Sequence, residues 1–97
     1  MAQIIYSGRA LDDLQRLFQF IAQHDPQIAV DSAAAIRSAM EMLVTHPLAG
    51  RRIEGELREL VISYGKTGYV ALYRFLPVAD QVRMLAFRHQ RELDFPD

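Results

Sequence analysis

The chain has 97 residues, of which 51% are hydrophobic and 24% charged, a composition typical of one small globular domain that spans residues 1–97. The absence of cysteine excludes disulfides, thiolate zinc sites and a cysteine nucleophile. The three histidines, His24, His46 and His89, are far apart in the sequence, so we predict no metal site. Apolar runs are too short to span a membrane and the first residues do not resemble a secretory signal, so we expect a cytoplasmic protein.

The charges are unevenly distributed along the chain, although the net charge is only −1. Residues 1–50 carry a net charge of −2, residues 51–91 of +4 and residues 92–97 of −3. Arginine outnumbers lysine seven to one in the basic segment, which favours oriented bidentate contacts over diffuse attraction. Arginines on a solvated sheet face are an equally good interpretation, because proteins that bind nucleic acid only through its backbone usually have a larger positive excess.

The first elements predicted are a strand at Gln3–Tyr6 and a helix that begins after the N-cap Ser7. At 100° per residue, Phe20 falls beside Asp13 and Arg16, so we expect an aromatic ring on the polar face of this helix. The apolar residues of the helix recur at three- and four-residue steps and form one stripe: Ala10, Leu11, Leu14, Leu17, Phe18 and Ile21.

A second helix is predicted from Pro26, with Asp25 as its N-cap, to about Thr45, because Pro47 disfavours its continuation. The short turn between the helices predicts an antiparallel hairpin. Apolar residues cover more than half of the circumference of the second helix, which predicts that it is sandwiched between two elements or shared with a partner. These residues are Ile28, Ala29, Ala33, Ala35, Ile36, Ala39, Met40, Met42 and Leu43.

Beyond a polar loop predicted at Pro47–Gly55, the hydrophobic period changes from helical to strand-like. Three strands joined by hairpin turns are predicted: Leu57–Ser63, Tyr69–Phe75 and Gln81–Arg88. The order β-αα-βββ predicts an α+β fold, in which the two-helix hairpin covers one face of an antiparallel sheet. We expect the first strand to join that sheet, at a position that the sequence does not fix.

The chain resembles the RelE/ParE toxins of bacterial type II toxin–antitoxin modules from its first strand to Glu92. The residues that carry the resemblance follow the helical hairpin and are Arg58–Ile62, Gly68–Arg74 and Met84–Arg91. The resemblance implies no metal, nucleotide or organic cofactor. It implies as partner an antitoxin whose C-terminal segment folds onto the helical hairpin and the sheet.

Members of this superfamily act in two ways, and the resemblance favours one of them. RelE-type toxins resemble ribonucleases that cut messenger RNA on the ribosome, whereas ParE-type toxins poison DNA gyrase and do no chemistry of their own. RelE-type enzymes use cationic residues at positions that correspond here to Val61, Ser63 and Val70. This departure favours a ParE-like toxin that inhibits growth by binding gyrase, as does the resemblance of the ending Arg88–Arg91 to ParE-type members.

The residues expected to bind the target are Arg74, Arg88, His89 and Arg91. In the alternative, a ribosome-dependent endoribonuclease, His89 would be the acid or base and the three arginines would lie near the phosphate. An ion pair of Arg74 with Glu59, a solvated terminus for Arg88 and Arg91, and a hydrogen-bonded structural role for His89 are competing interpretations.

The helical hairpin is expected to bind the antitoxin. An exposed apolar patch on a small protein usually marks an interaction site, and the residues expected there are Phe20, Arg16, Ile28, Ala35 and Met42. The alternative is a homodimer through the same patch, and a toxin–antitoxin hetero-oligomer is also compatible with it.

Overall fold

Two helices and five strands form the part of the chain that the computed structural model describes, residues 1–64 and 67–89. The helices are α1 (Gly8–His24) and α2 (Pro26–Thr45), and the strands are β1 (Gln3–Tyr6), β2 (Arg51–Glu54), β3 (Leu57–Tyr64), β4 (Thr67–Leu76) and β5 (Gln81–His89). Neither helix is long and apolar enough to cross a membrane.

The strands form one sheet in the order β1-β5-β4-β3-β2, with both helices on one face. This confirms the predicted α+β fold, but the sheet is mixed, because β1 pairs in parallel with β5 while the other pairs are antiparallel. The predicted antiparallel meander of β3, β4 and β5 is confirmed, and β1, whose position the sequence did not fix, adds a parallel strand at its edge. β1 and β5 are the first and last strands in the chain, and the pattern of residues in each strand does not specify the direction of so distant a pairing.

A short strand replaces part of the polar loop predicted at Pro47–Gly55. β2 pairs with β3 in the register Arg51↔Glu59 and Arg52↔Arg58, and the turn between them contains Gly55 at φ 55°. All four residues of β2 are exposed, since it lies at the edge of the sheet. Their side chains therefore lack the alternation of apolar and polar residues by which a half-buried strand is recognised.

Both predicted N-caps of the helices are confirmed. The Ser7 hydroxyl accepts a hydrogen bond from the Ala10 N–H at 3.0 Å, and the Asp25 carboxylate accepts from the Gln27 N–H at 3.0 Å. Within the predicted stripe of α1, however, Leu11 is 53% exposed. The core lies between the helices and the sheet, and its largest fully buried side chains are Tyr69, Tyr73, Phe87, Leu43 and Met84.

Two buried tyrosines of β4 connect the sheet to α2 and to the loop that follows it. The Tyr69 hydroxyl and the Ser32 hydroxyl share a hydrogen bond of 2.8 Å. The Tyr73 hydroxyl donates to the Pro47 carbonyl and accepts from the Gly50 N–H, both at 2.8 Å. Burial raises the pKa of Tyr73, an effect that the hydrogen bond with Gly50 and the charge of Arg58 partly offset.

Candidate functional site

The face of the sheet opposite the helices carries most of the arginines predicted to bind the target. Side chains alternate between the two faces of a strand, so the burial of Tyr73 and Met84 in the core places Arg74 and Arg83 on the opposite face. We call this surface the helix-free face. Other residues of this face follow from the strand register and include Arg51, Glu54, Leu57, Glu59, Val61, Val70, Leu72, Gln81, Ala86 and Arg88.

Arg74 is exposed on the helix-free face and lies directly opposite Arg83 of β5. The ion pair between Arg74 and Glu59, which was the alternative interpretation of Arg74, does not form. Glu59 instead accepts a hydrogen bond of 2.9 Å from the Arg51 guanidinium. Arg74 makes no ion pair with a carboxylate in residues 1–64 and 67–89, which leaves its charge available to a partner.

Arg88 and His89 are adjacent in sequence but lie on opposite faces of the sheet. Arg88 pairs in register with Val70 on the helix-free face, whereas His89 pairs with Tyr69 on the helix side. The His89 ring meets the Tyr69 ring edge to face, with centroids 5.5 Å apart. Both residues are partly buried and already have interaction partners.

The structure does not bring together the three predicted target-binding residues that it describes. Arg74 and Arg88 share the helix-free face, about 13 Å apart along β4. His89 lies on the other face, and Arg91 lies outside the described residues. The arrangement therefore does not place His89 beside Arg74 and Arg88 at one phosphate.

Two of the three positions that correspond by resemblance to cationic residues of RelE-type enzymes hold valines, and these valines lie on the helix-free face. Val61 and Val70 lie directly opposite each other, and Val70 is only 1% exposed. The third position, Ser63, pairs with Gly68 in the same ladder. Two apposed valines cannot stabilise developing phosphate charge or transfer a proton.

A bulge in β5 determines which face each residue at the end of this strand occupies. Leu72 pairs with Ala86 and Tyr73 with Met84, so Leu85 between them has no partner in β4. The Ser7 hydroxyl donates to the Leu85 carbonyl at 3.1 Å, and the Ser7 N–H donates to the Met84 carbonyl at 3.0 Å. The start of α1 thereby holds the bulge in place where β1 ends.

Asp13 is a buried carboxylate that the sequence pattern assigned to the polar face of α1, and that assignment was wrong. It is 4% exposed and accepts a hydrogen bond of 3.0 Å from the Phe87 N–H. The Arg16 guanidinium donates to the other oxygen, Oδ1, at 3.1 Å, and Arg9 Nε lies 3.9 Å from Oδ2, the oxygen that accepts from Phe87. Asp13 thus ties α1 to the end of β5 that carries Arg88 and His89. The arginines one turn before and after it were the signal that could have indicated a paired carboxylate.

The residues predicted to bind the antitoxin do not form one continuous patch. Phe20 is 62% exposed, as predicted, and its ring centroid lies 4.7 Å from that of His24. Ile28 is exposed and Arg16 is held partly by Asp13, whereas Ala35 and Met42 pack against the core. Ile28 and Met42 are about 21 Å apart along α2, since each residue adds 1.5 Å.

Two open grooves lie on the helical side of the molecule. The first, of about 350 Å³, runs between the edge strand β1 and α2, and its apolar lining is flanked by Arg37 and Glu41. The second, of about 560 Å³, lies below the end of α2, between Met42 and Phe75. The apolar residues that line the first groove are Ile4, Tyr6, Phe18, Ala33, Ile36, Met40 and Val44. No group of three or more acidic or histidine residues in the described ranges could hold a metal ion.

A hairpin of two helices on one face of a mixed five-stranded sheet is the fold of the RelE/ParE toxins. A family model described as the ParE toxin of the type II toxin–antitoxin system parDE matches residues 4–94. The chain therefore belongs to this toxin family within the RelE/ParE superfamily.

Individual relatives carry both ParE and RelE names. The chain is 35% identical over 92 residues to Toxin RelE3 of Caulobacter vibrioides, a match that covers 95% of this chain and 98% of the relative. The chromosomal ParDE system of P. aeruginosa has a chain of the same fold, with 19% identity, a TM-score of 0.72 and coverage of 92% and 96%. A chain in the RelBE2 toxin–antitoxin complex of Mycobacterium tuberculosis is 26% identical, with a TM-score of 0.62 and coverage of 92% and 98%.

Proposed function

We propose that this toxin inhibits growth by binding and poisoning DNA gyrase. The observation that carries the proposal is the match of residues 4–94 to the ParE toxin family. The apposed Val61 and Val70 support it, because they occupy positions at which RelE-type enzymes carry cationic residues. The gyrase contact would lie on the helix-free face around Arg74 and Arg88, and the protein would act in the cytoplasm. As a gyrase poison, the toxin performs no chemistry of its own.

The test is plasmid supercoiling by purified gyrase with ATP, in the presence of the toxin freed of its antitoxin. We expect supercoiling to be lost and linear DNA to accumulate. The double variant Arg74→Ala, Arg88→Ala should be inactive, whereas the matched control Arg52→Ala, an exposed arginine on edge strand β2, should retain inhibition. Supercoiling that proceeds normally with a molar excess of the folded toxin would refute the proposal.

A ribosome-dependent endoribonuclease is the second candidate, favoured by the name of the relative Toxin RelE3. His89 is the histidine of β5, and histidine is the side chain that most often serves as a general acid or base, but it faces Tyr69 on the helix side. Ribonuclease activity would therefore need a substrate that approaches the end of the sheet rather than the middle of the helix-free face. Cleavage of ribosome-bound message by the wild-type toxin and its loss in His89→Ala would establish this function instead.

The proposed partner that neutralises the toxin is a cognate antitoxin that lies on the helical side. The solved relatives include toxin–antitoxin complexes, and β1 is an edge strand beside an apolar groove. A segment of the antitoxin could occupy this groove and place an extended stretch along the unpaired edge of β1. Arg37 and Glu41 at the groove offer charges of both signs to such a segment.

Two substitutions test separately whether the antitoxin binds the groove and whether it contacts the exposed aromatic ring on α1. Ala33→Glu places a large charged side chain in the groove lining and should weaken antitoxin binding by at least tenfold, since an apolar segment packed on it would remove the charge from water. Phe20→Glu should also weaken binding if the antitoxin extends over the hairpin. Isothermal titration calorimetry against the antitoxin measures both, and unchanged affinity in both variants would show that the antitoxin binds elsewhere.

The alternative is a homodimer through the same surface. It predicts self-association that the same two substitutions abolish, and analytical ultracentrifugation measures this self-association.

A further inference from the structure

Arg74 and Arg83 form a pair of like charges at the middle of the sheet. They lie directly opposite each other on antiparallel β4 and β5, so their Cα atoms are about 4.5–5.5 Å apart. Both side chains are exposed on the helix-free face. Arg83 Nε and Nη2 donate to the Gln81 side-chain oxygen at 3.4 and 3.3 Å, which orients the guanidinium without neutralising it.

Like charges directly opposite each other destabilise an antiparallel pair of strands. The neighbouring row of the same face avoids this cost, because Arg51 is paired with Glu59 at 2.9 Å. The other acidic groups nearby do not neutralise the arginine pair. Asp80 lies 3.5 Å from the N-terminal amino group, and Glu54 lies in the register row of Arg74 but two strands away, about 10 Å. Two positive charges therefore remain uncompensated at one point of the described surface.

We propose that Arg74 and Arg83 bind the phosphodiester backbone of nucleic acid. The planar guanidinium matches the geometry of phosphate oxygens and forms two parallel hydrogen bonds with them. Two guanidinium groups on facing strands hold one phosphate, or two consecutive ones, from the same side. The hydrogen bonds from Arg83 to Gln81 already restrict the Arg83 side chain before binding. The loss of side-chain entropy on binding is therefore smaller.

The position of the pair argues against an acidic peptide as its ligand. β4 and β5 are interior strands whose backbone groups are already paired on both sides, so a peptide cannot extend the sheet there. Both grooves described above lie on the helical side. The surface around the arginines offers only side chains, including the flanking Leu57 and Leu72. A ligand with a regular series of charges on its own surface suits such a site, and the phosphates of nucleic acid form such a series.

This inference deepens the proposed function, since gyrase acts on DNA and a toxin bound to it could contact DNA as well as protein. Only the presence of gyrase at the DNA rests on the proposed function; the binding of nucleic acid by the two arginines does not. Binding to nucleic acid is measured without gyrase, so a toxin that inhibits gyrase but does not bind nucleic acid would defeat this inference alone.

Fluorescence anisotropy with a labelled single-stranded RNA and a DNA duplex of the same sequence, between 50 and 200 mM salt, tests the inference. For the double variant Arg74→Ala, Arg83→Ala we expect an affinity at least tenfold lower than that of the wild type. The plot of log affinity against log salt has a negative slope. In the double variant the magnitude of this slope should be smaller than in the wild type by about 0.7 or more on the single strand and by about 0.9 or more on the duplex. The nucleic acid bound more tightly identifies the natural source of the phosphate.

Arg51→Ala is the matched control, because it removes an arginine that is already paired on the same face. It should leave affinity and salt slope nearly unchanged, and circular dichroism should show all variants folded. Equal affinity and slope in the double variant and the wild type would overturn the inference. Equal losses in Arg51→Ala and in the double variant would overturn it too, since they would reflect overall charge, as would binding of polyglutamate but not of nucleic acid.

Discussion

Replacing Asp13 should destabilise the fold mainly through one backbone hydrogen bond. In Asp13→Ala the buried Phe87 N–H loses its acceptor, and an unsatisfied buried donor costs about 1–3 kcal/mol. Arg9 and Arg16 also lose their partner, but both side chains are largely exposed, so each pair contributes about 0–1 kcal/mol. We therefore expect the free energy of unfolding to fall by about 1–5 kcal/mol.

Asp13→Asn separates the two contributions, because its side-chain oxygen can still accept from the Phe87 N–H while the charge is lost. We expect it to lower the free energy of unfolding by about 0–2 kcal/mol, which is the contribution of the two arginine pairs alone. Urea unfolding followed by circular dichroism measures these values, and hydrogen exchange of the Phe87 amide reports the hydrogen bond itself. Equal losses in the two variants would refute the reasoning, since the charge rather than the backbone contact would then stabilise the fold.

Two further predictions concern the loop after α2 and the arginine pair. A Cβ at Gly50 would lie 2.6 Å from the Tyr73 ring and hydroxyl and 2.9 Å from the Glu59 carbonyl, so Gly50→Ala should lower the free energy of unfolding by about 1–3 kcal/mol. Gly8→Ala, where nothing lies within 4 Å, is the control and should not destabilise; similar losses in both would refute the steric argument. Arg83→Glu should raise the free energy of unfolding by about 0.2–1 kcal/mol, because it creates an opposite-charge pair with Arg74. This gain should shrink in high-salt urea titrations, and its absence at low salt would show that the two charges do not interact.

The elements that bury an apolar face could be predicted from the sequence, and the exposed ones could not. Both helices, their caps and the three long strands follow from hydrophobic period and capping residues. β2 was missed because its four residues are exposed. The parallel pairing of β1 with β5 depends on where two distant segments meet, which local patterns do not record.

The candidate site was predictable in its residue types but not in its geometry. Arg74 was selected from sequence, whereas its neighbour Arg83 was not, although equal counting outward from the turn at residues 77–80 places the two opposite each other. Arg88 and His89 lie on opposite faces of the sheet because side chains alternate strictly at the end of β5. Asp13 was assigned to the solvent because helical periodicity positions a side chain on a face but does not reveal a backbone donor that it meets there.

The bulge at Leu85 determines how the end of β5 responds to a change in its length. A one-residue shift in a strand moves every later side chain to the other face of the sheet. Leu85 is the residue without a partner in β4, so its loss would remove the bulge and leave the pairs Tyr73↔Met84 and Leu72↔Ala86 in place, with Arg88 and His89 on the faces that they now occupy. The bulge thus takes up the extra residue of β5, and the strand can lose one residue at this point while both faces of the sheet keep the side chains that they present.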